Sequence, residues 1–147
     1  MANNIILKSR YLLGICIALI FIHVVHAKEA LEFKDGWVRE APPTAKNLAG
    51  YGELVNTGDV NIQIDHVQSK LFERVEFHVT SFEKGMMRMK QINVIRLKPG
   101  ESILFEPGGK HLMLIKPNTP IRSALKIPFV ITSHSGNKFT IQATVRP

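Results

Sequence analysis

The stretch "FTIQATV", Phe139–Val145, has apolar residues at every second position, with threonine or glutamine between them. Successive side chains of a β-strand point to opposite faces, so this alternation predicts a strand with one face in a core and the other in water. The turn sequence "HSGNK" lies directly before it. The segment therefore predicts a half-buried β-strand that follows a tight turn.

Eight further short runs rich in Val, Ile, Leu and Phe precede this strand, separated by turn sequences such as "NTGD", "KPGE" and "KPNTP". The runs are Glu32–Arg39, Tyr51–Asn56, Asn61–Ser69, Glu73–Thr80, Met86–Arg96, Ser102–Phe105, His111–Lys116 and Ile127–Thr132. No stretch keeps a helical apolar period over three turns. The pattern predicts one all-β domain, an antiparallel sandwich or barrel with Greek-key connections.

The amino-terminal region has the features of a secretory signal peptide. Lys8 and Arg10 precede an apolar run, Tyr11–Val25, and Val25 and Ala27 stand at the small-residue positions of a cleavage site. The run has 15 residues, fewer than the roughly 20 of a membrane-spanning helix. The sequence predicts a signal peptide at 1–27 and a mature domain at 28–147, with an uncleaved anchor as the alternative.

Cysteine content and charge limit the chemistry of the mature domain. The single cysteine, Cys16, lies in the predicted signal peptide, so residues 28–147 can form neither a disulfide nor a thiolate site. The whole chain has a formal net charge of +7, with its Lys and Arg residues scattered. This distribution favours solubility over nucleic-acid binding, and a basic face for an acidic partner is the alternative.

Histidine and methionine are the residues of the mature chain most able to bind a metal. They are His66, His78, His111 and His134, and Met86, Met87, Met89 and Met113. All four methionines lie in or beside the segments that hold His78 and His111. Because strand positions two apart share a face, His111 and Met113 share one, and so do Met87 and Met89.

Thioether and imidazole together suit Cu(I), a soft ion that neutral sulfur and nitrogen ligands can bind without a thiolate. Zinc prefers cysteine, histidine or carboxylate, and calcium and magnesium need clustered oxygen ligands. A second interpretation is purely structural, because methionine commonly fills gaps in a core and a buried histidine usually needs only a hydrogen bond. The residue types alone leave both interpretations open.

The spacing of four of these residues resembles a known family. His78, Met89, His111 and Met113 follow the pattern H-x10-M-x21-H-x-M, which is the signature of the periplasmic PCuAC copper chaperones. The stretches "GWVREAPPTAKNLAGYGELVNTGD", "RVEFH" and "PGGKHLML" extend the resemblance over almost the whole mature chain. The resemblance implies a cupredoxin-like β-sandwich that binds one Cu(I) through these four residues near its surface. Met86 and Met87 are then expected to pack around the ligands.

The same resemblance implies a periplasmic chaperone that delivers copper toward cytochrome c oxidase, and we expect the protein to be a monomer. The expected partners are the copper subunit of that oxidase, a Sco-like thiol protein, or both. We expect no enzymatic activity, since no Ser, His and carboxylate grouping indicates nucleophilic catalysis. Copper buffering and a secreted interaction module without metal are the alternatives. His66 and His134 are expected to be structural or surface residues.

Overall fold

The computed structural model of the protein describes residues 28–147, which form ten β-strands and contain no helix that could cross a membrane. The predicted signal peptide lies outside the described residues. The strands are β1 (Leu31–Arg39), β2 (Asn47–Asn56), β3 (Ile62–Gln68), β4 (Phe72–Glu83), β5 (Met86–Gln91), β6 (Ile95–Leu97), β7 (Ser102–Phe105), β8 (Lys110–Pro117), β9 (Lys126–Ser133) and β10 (Lys138–Arg146). The all-β prediction is confirmed.

The strands follow one continuous hydrogen-bonded path in the order β5-β4-β8-β2-β1-β10-β9-β3-β6. Strand β7 also pairs with β2, next to β8. Every pair is antiparallel except β1 and β10, which run parallel. The path folds over so that its two halves face each other, and their inward side chains form a single core.

Strand β2 has two successive partners on the same edge. Residues 47–50 pair with β8 and residues 52–55 pair with β7. Gly52 lies at this change of partner with φ of +144°, and a Cβ there would lie 2.7 Å from the ring of Phe33. Glycine is needed at this position because the conformation and the close approach both exclude a side chain. Strand β2 also begins earlier than the predicted run at Tyr51.

The predicted single strand Met86–Arg96 is wrong, since the structure forms two strands there. Strand β5 pairs with β4, whereas β6 pairs with β3 at the other end of the path. The β5 side chains are all exposed, but Ile95 and Leu97 of β6 are buried. The chain therefore crosses between the two layers, and on the way the amide of Ile92 donates to the carbonyl of Phe77 over 2.8 Å.

Strand β8 presents different side chains to its two faces. Leu112 and Leu114 are almost completely buried in the core, as the alternation predicted. The same core contains Phe77 and Phe105, whose stacked rings have centroids 5.7 Å apart. His111 and Met113, which alternate with these leucines along β8, must then point to the other side of the sheet.

Candidate metal centre

Three neighbouring strands carry the four predicted ligands. His78 lies on β4, Met89 on the adjacent β5, and His111 and Met113 on β8 at the other side of β4. His78 stands directly opposite His111, and Met89 stands opposite Thr80, two positions along from His78. All four residues therefore lie on one sheet surface, opposite the face that holds Leu112 and Leu114. We call this surface the site face.

An open depression of about 440 Å³ lies on the site face. Met89, His111 and Met113 line it, together with Met87 and Tyr51. The wall at Tyr51 is supported by Trp37, whose ring centroid lies 4.7 Å from that of the tyrosine. His78 does not line the depression, but its ring centroid lies only 5.8 Å from that of His111. Three predicted ligands thus share one depression, and the fourth lies beside it.

His78 has one nitrogen bonded and one without a protein partner. Its Nε2 lies 2.8 Å from Oε2 of Glu76, two residues earlier on the same strand and face. Its Nδ1 is buried and has no hydrogen-bond partner. Buried polar atoms are nearly always paired, so an orphaned imidazole nitrogen beside a second histidine fits a metal-binding role.

His111 is buried, with 5% of its surface exposed. Its Nδ1 donates to the carbonyl of Gly109 over 3.3 Å, which leaves the lone pair on Nε2 available. Burial lowers the pKa of His111 below its ordinary value, and nearby His78 adds to this effect against the opposing hydrogen bond to Gly109. A lowered pKa keeps the imidazole neutral near pH 7, which is the form that binds a metal.

The methionines of β5 lie on a hairpin that extends beyond the core. Lys84 and Gly85, both with positive φ, form the two-residue turn between β4 and β5. Met89 and Met87 are 55% and 58% exposed, and Phe82 opposite Met87 is 71% exposed. These three side chains continue the site face outward and leave it accessible to a partner molecule.

Met86 and Met87 take different positions, although both were expected to pack around the ligands. Met87 lines the depression, whereas Met86 points to the opposite face of β5 and is 55% exposed. That opposite face is charged: Nζ of Lys90 lies 2.6 Å from Oε1 of Glu83, and Nε of Arg88 lies 3.7 Å from Oε2 of Glu83. The hairpin is therefore apolar toward the site and, apart from Met86, charged on its other face.

The remaining histidines lie elsewhere, as expected of surface residues. His66 is on β3, and His134, in the turn before β10, has its Nδ1 2.7 Å from Oδ2 of Asp65. Within residues 28–147 no three His, Cys, Asp or Glu side chains form a metal-holding group.

Sequence reasoning missed Glu76 and Tyr51, although Glu76 alternates with His78 in "RVEFH" and so belongs to the same face.

The family model "Putative lipoprotein LpqE-like" matches residues 31–145, which is most of the chain. The chain belongs to this family. An uncharacterised protein of Rickettsia prowazekii is 27% identical over 101 residues. That match covers 66% of this LpqE-like chain but only 56% of the Rickettsia protein, so the chain spans little more than half of that relative's length.

Solved structures show which fold this LpqE-like protein has. The copper-bound PCuAC domain of PmoF2 matches with a TM-score of 0.63 and 20% identity, covering 81% of this chain and 97% of that domain. The Cu(I) form of DR1885 from Deinococcus radiodurans matches with a TM-score of 0.59 and 21% identity, covering 83% of this chain and 81% of DR1885. The cupredoxin-like fold that the PCuAC resemblance predicted is confirmed.

The lowered pKa of His111 predicts how stability depends on pH. Below about pH 6.5 the unfolded chain binds a proton at this residue that the folded chain does not, so stability should fall as the pH drops toward the folded pKa. NMR titration should find a pKa below 6.5 for His111, and denaturation at several pH values should show the loss of stability. His111→Gln should remove this contribution, while Met113→Leu should retain it. A pKa for His111 at or above 6.5 would contradict the account.

Proposed function

We propose that this protein is a copper chaperone that binds one Cu(I) through His78, Met89, His111 and Met113. The observation that carries the proposal is the convergence of these side chains on one accessible sheet face, where two imidazoles lie side by side. These residues come from three strands and are separated by up to 35 positions in the chain. Packing of the core does not require this arrangement, because the core lies on the other face.

The donor set suits Cu(I) better than other biological metals. Thioether sulfur is a soft ligand, and imidazole binds copper well when it is neutral. The orphaned Nδ1 of His78 and the free Nε2 of His111 supply the two nitrogen donors. Zinc, calcium and magnesium would each need carboxylate, thiolate or additional oxygen ligands.

The exposure of the site supports transfer of copper as its purpose. A thiol-bearing acceptor could approach from the side of Met87 and Met89, which are more than half exposed. Four neutral ligands hold Cu(I) less tightly than thiolates do, so movement of copper to such an acceptor is favourable. Binding and release without chemical change of the cargo describe a chaperone, not an enzyme.

The comparisons support the same function and an extracytoplasmic location. Two structurally similar proteins were solved with copper, one of them as Cu(I). The family description names lipoproteins, and residues 1–27 have the features of a signal peptide. We infer a periplasmic, monomeric chaperone that delivers copper toward cytochrome c oxidase through its copper subunit, a Sco-like thiol protein, or both.

Copper binding is tested by titrating the purified protein with Cu(I) in competition with a chromophoric chelator. Wild type should bind one equivalent. Met89→Leu and Met113→Leu should each raise the Kd about tenfold or more, since loss of roughly 1.4 kcal/mol of binding energy has that effect.

Met86→Leu is the matched control for Met89→Leu. Met86 is on the same strand and equally exposed, but it points away from the site face. Its replacement should leave the Kd unchanged. If all copper stays with the chelator for wild type and variants alike, the protein is not a copper chaperone. Equal effects at Met86 and Met89 would remove Met89 from the ligand set.

Delivery is tested in cells grown under copper limitation. Deletion of the gene should reduce the copper content and activity of cytochrome c oxidase, and added copper should restore both. Complementation with wild type should rescue the oxidase, whereas the Met89→Leu variant should rescue it less well. Normal oxidase together with greater copper sensitivity would contradict delivery and indicate buffering.

A further inference from the structure

The contact between Glu76 and His78 connects the metal centre to a residue outside the predicted ligand set. Both side chains are mostly buried, and Oε2 of Glu76 lies 2.8 Å from Nε2 of His78. Glu76 also stands directly opposite Met113 on β8. The carboxylate is therefore next to two of the four predicted ligands.

This contact determines where the proton of neutral His78 lies. An ionised carboxylate can only accept hydrogen bonds, so the imidazole must donate, and its proton must be on Nε2. The lone pair is then on Nδ1, which is buried and has no partner in the described protein. The hydrogen bond to Glu76 thus explains why Nε2 of His78 is bonded and why Nδ1 carries a free lone pair.

We propose that Glu76 is a positioning residue that holds His78 in the Nε2–H tautomer, so that His78 binds the metal through Nδ1. Coordination through Nδ1 rests on the proposed function, whereas the Nε2–H tautomer of His78 does not depend on it. His111 has the opposite arrangement, because its Nδ1–H donates to the carbonyl of Gly109. The two histidines therefore coordinate through different nitrogens, His78 through Nδ1 and His111 through Nε2.

Glu76 also changes the electrostatics of the centre. Two imidazoles and two thioethers are neutral ligands, so they leave the positive charge of Cu(I) uncompensated. A carboxylate bonded to a ligand imidazole makes that imidazole a stronger donor. It also places negative charge beside the ion, which the exposed guanidinium of Arg74, 3.8 Å from Oε1 of Glu76, offsets in part. The carboxylate also orients the ring, which lowers the entropic cost of binding.

Glu73 provides a matched control on the same strand. Its carboxylate lies 2.8 Å from Nζ of Lys116 and has no bond to a histidine. Glu73 lies near the start of β4, is exposed, and does not line the depression on the site face. Replacement of Glu73 removes a charge from β4 without changing the tautomer of His78.

The tautomer is measured in the metal-free protein by long-range ¹H–¹⁵N NMR at a pH where the imidazoles are neutral. In wild type, His78 should show a protonated Nε2 and an unprotonated Nδ1. Glu76→Leu should give a mixture of tautomers, whereas Glu76→Gln should retain the wild-type one because its amide oxygen can still accept. Glu73→Leu should match wild type. A dominant Nδ1–H form in wild type, or no change in Glu76→Leu, would overturn the proposal.

Loading with Cu(I), which is diamagnetic, identifies the coordinating nitrogens. The largest ¹⁵N shifts should occur at Nδ1 of His78 and Nε2 of His111, and the Nε2–H signal of His78 should persist. Glu76→Leu should raise the Kd for Cu(I) about 10-fold to 100-fold, and Glu76→Gln should raise it less. Glu73→Leu should leave the Kd unchanged. A shift at Nε2 of His78 with loss of its proton would overturn coordination through Nδ1. Failure of wild type to bind copper would overturn the proposed function, while the metal-free spectra would still decide the role of Glu76.

Discussion

The antiparallel register between β4 and β8 is the constraint on which the rest of the proposed metal centre depends. It sets His78 opposite His111 and Glu76 opposite Met113, so both imidazoles and the carboxylate meet on one face. A shift by one residue would move the whole set of one strand to the other face and put Leu112 and Leu114 in water. Burial of those leucines therefore excludes a one-residue shift, so the core keeps the site residues on their face.

The β4–β5 hairpin carries Met89, the fourth proposed ligand, and is itself exposed to solvent. Its tight turn at Lys84 and Gly85 pairs Met89 with Thr80, which brings the thioether to the same face as His78. Within residues 28–147 every side chain of β5 is exposed, and so is Phe82 on the facing strand. The β4–β8 pair thus holds the two histidines, while the exposed thioether of Met89 lies on the outer strand of the hairpin.

Local alternation in the sequence predicted much of the fold, but it could not predict pairing between distant strands. "FTIQATV" and "HLML" gave the strands and the shared face of His111 and Met113, because side-chain direction depends only on position within a strand. That His78 faces His111 depends on tertiary pairing, and only the family spacing indicated it. The run Met86–Arg96 contains no glycine or proline, so no local turn signal marks the crossing from β5 to β6. Glu76 was missed although its alternation with His78 was visible.

The central claim is that two imidazoles and two thioethers bind one Cu(I) on this face. X-ray absorption spectroscopy at the copper edge tests it most directly, because it distinguishes nitrogen from sulfur neighbours. The account predicts two nitrogen and two sulfur ligands in wild type, and two nitrogen and one sulfur in Met89→Leu. A spectrum of the wild-type protein without sulfur neighbours, or one that Met89→Leu leaves unchanged, would contradict it.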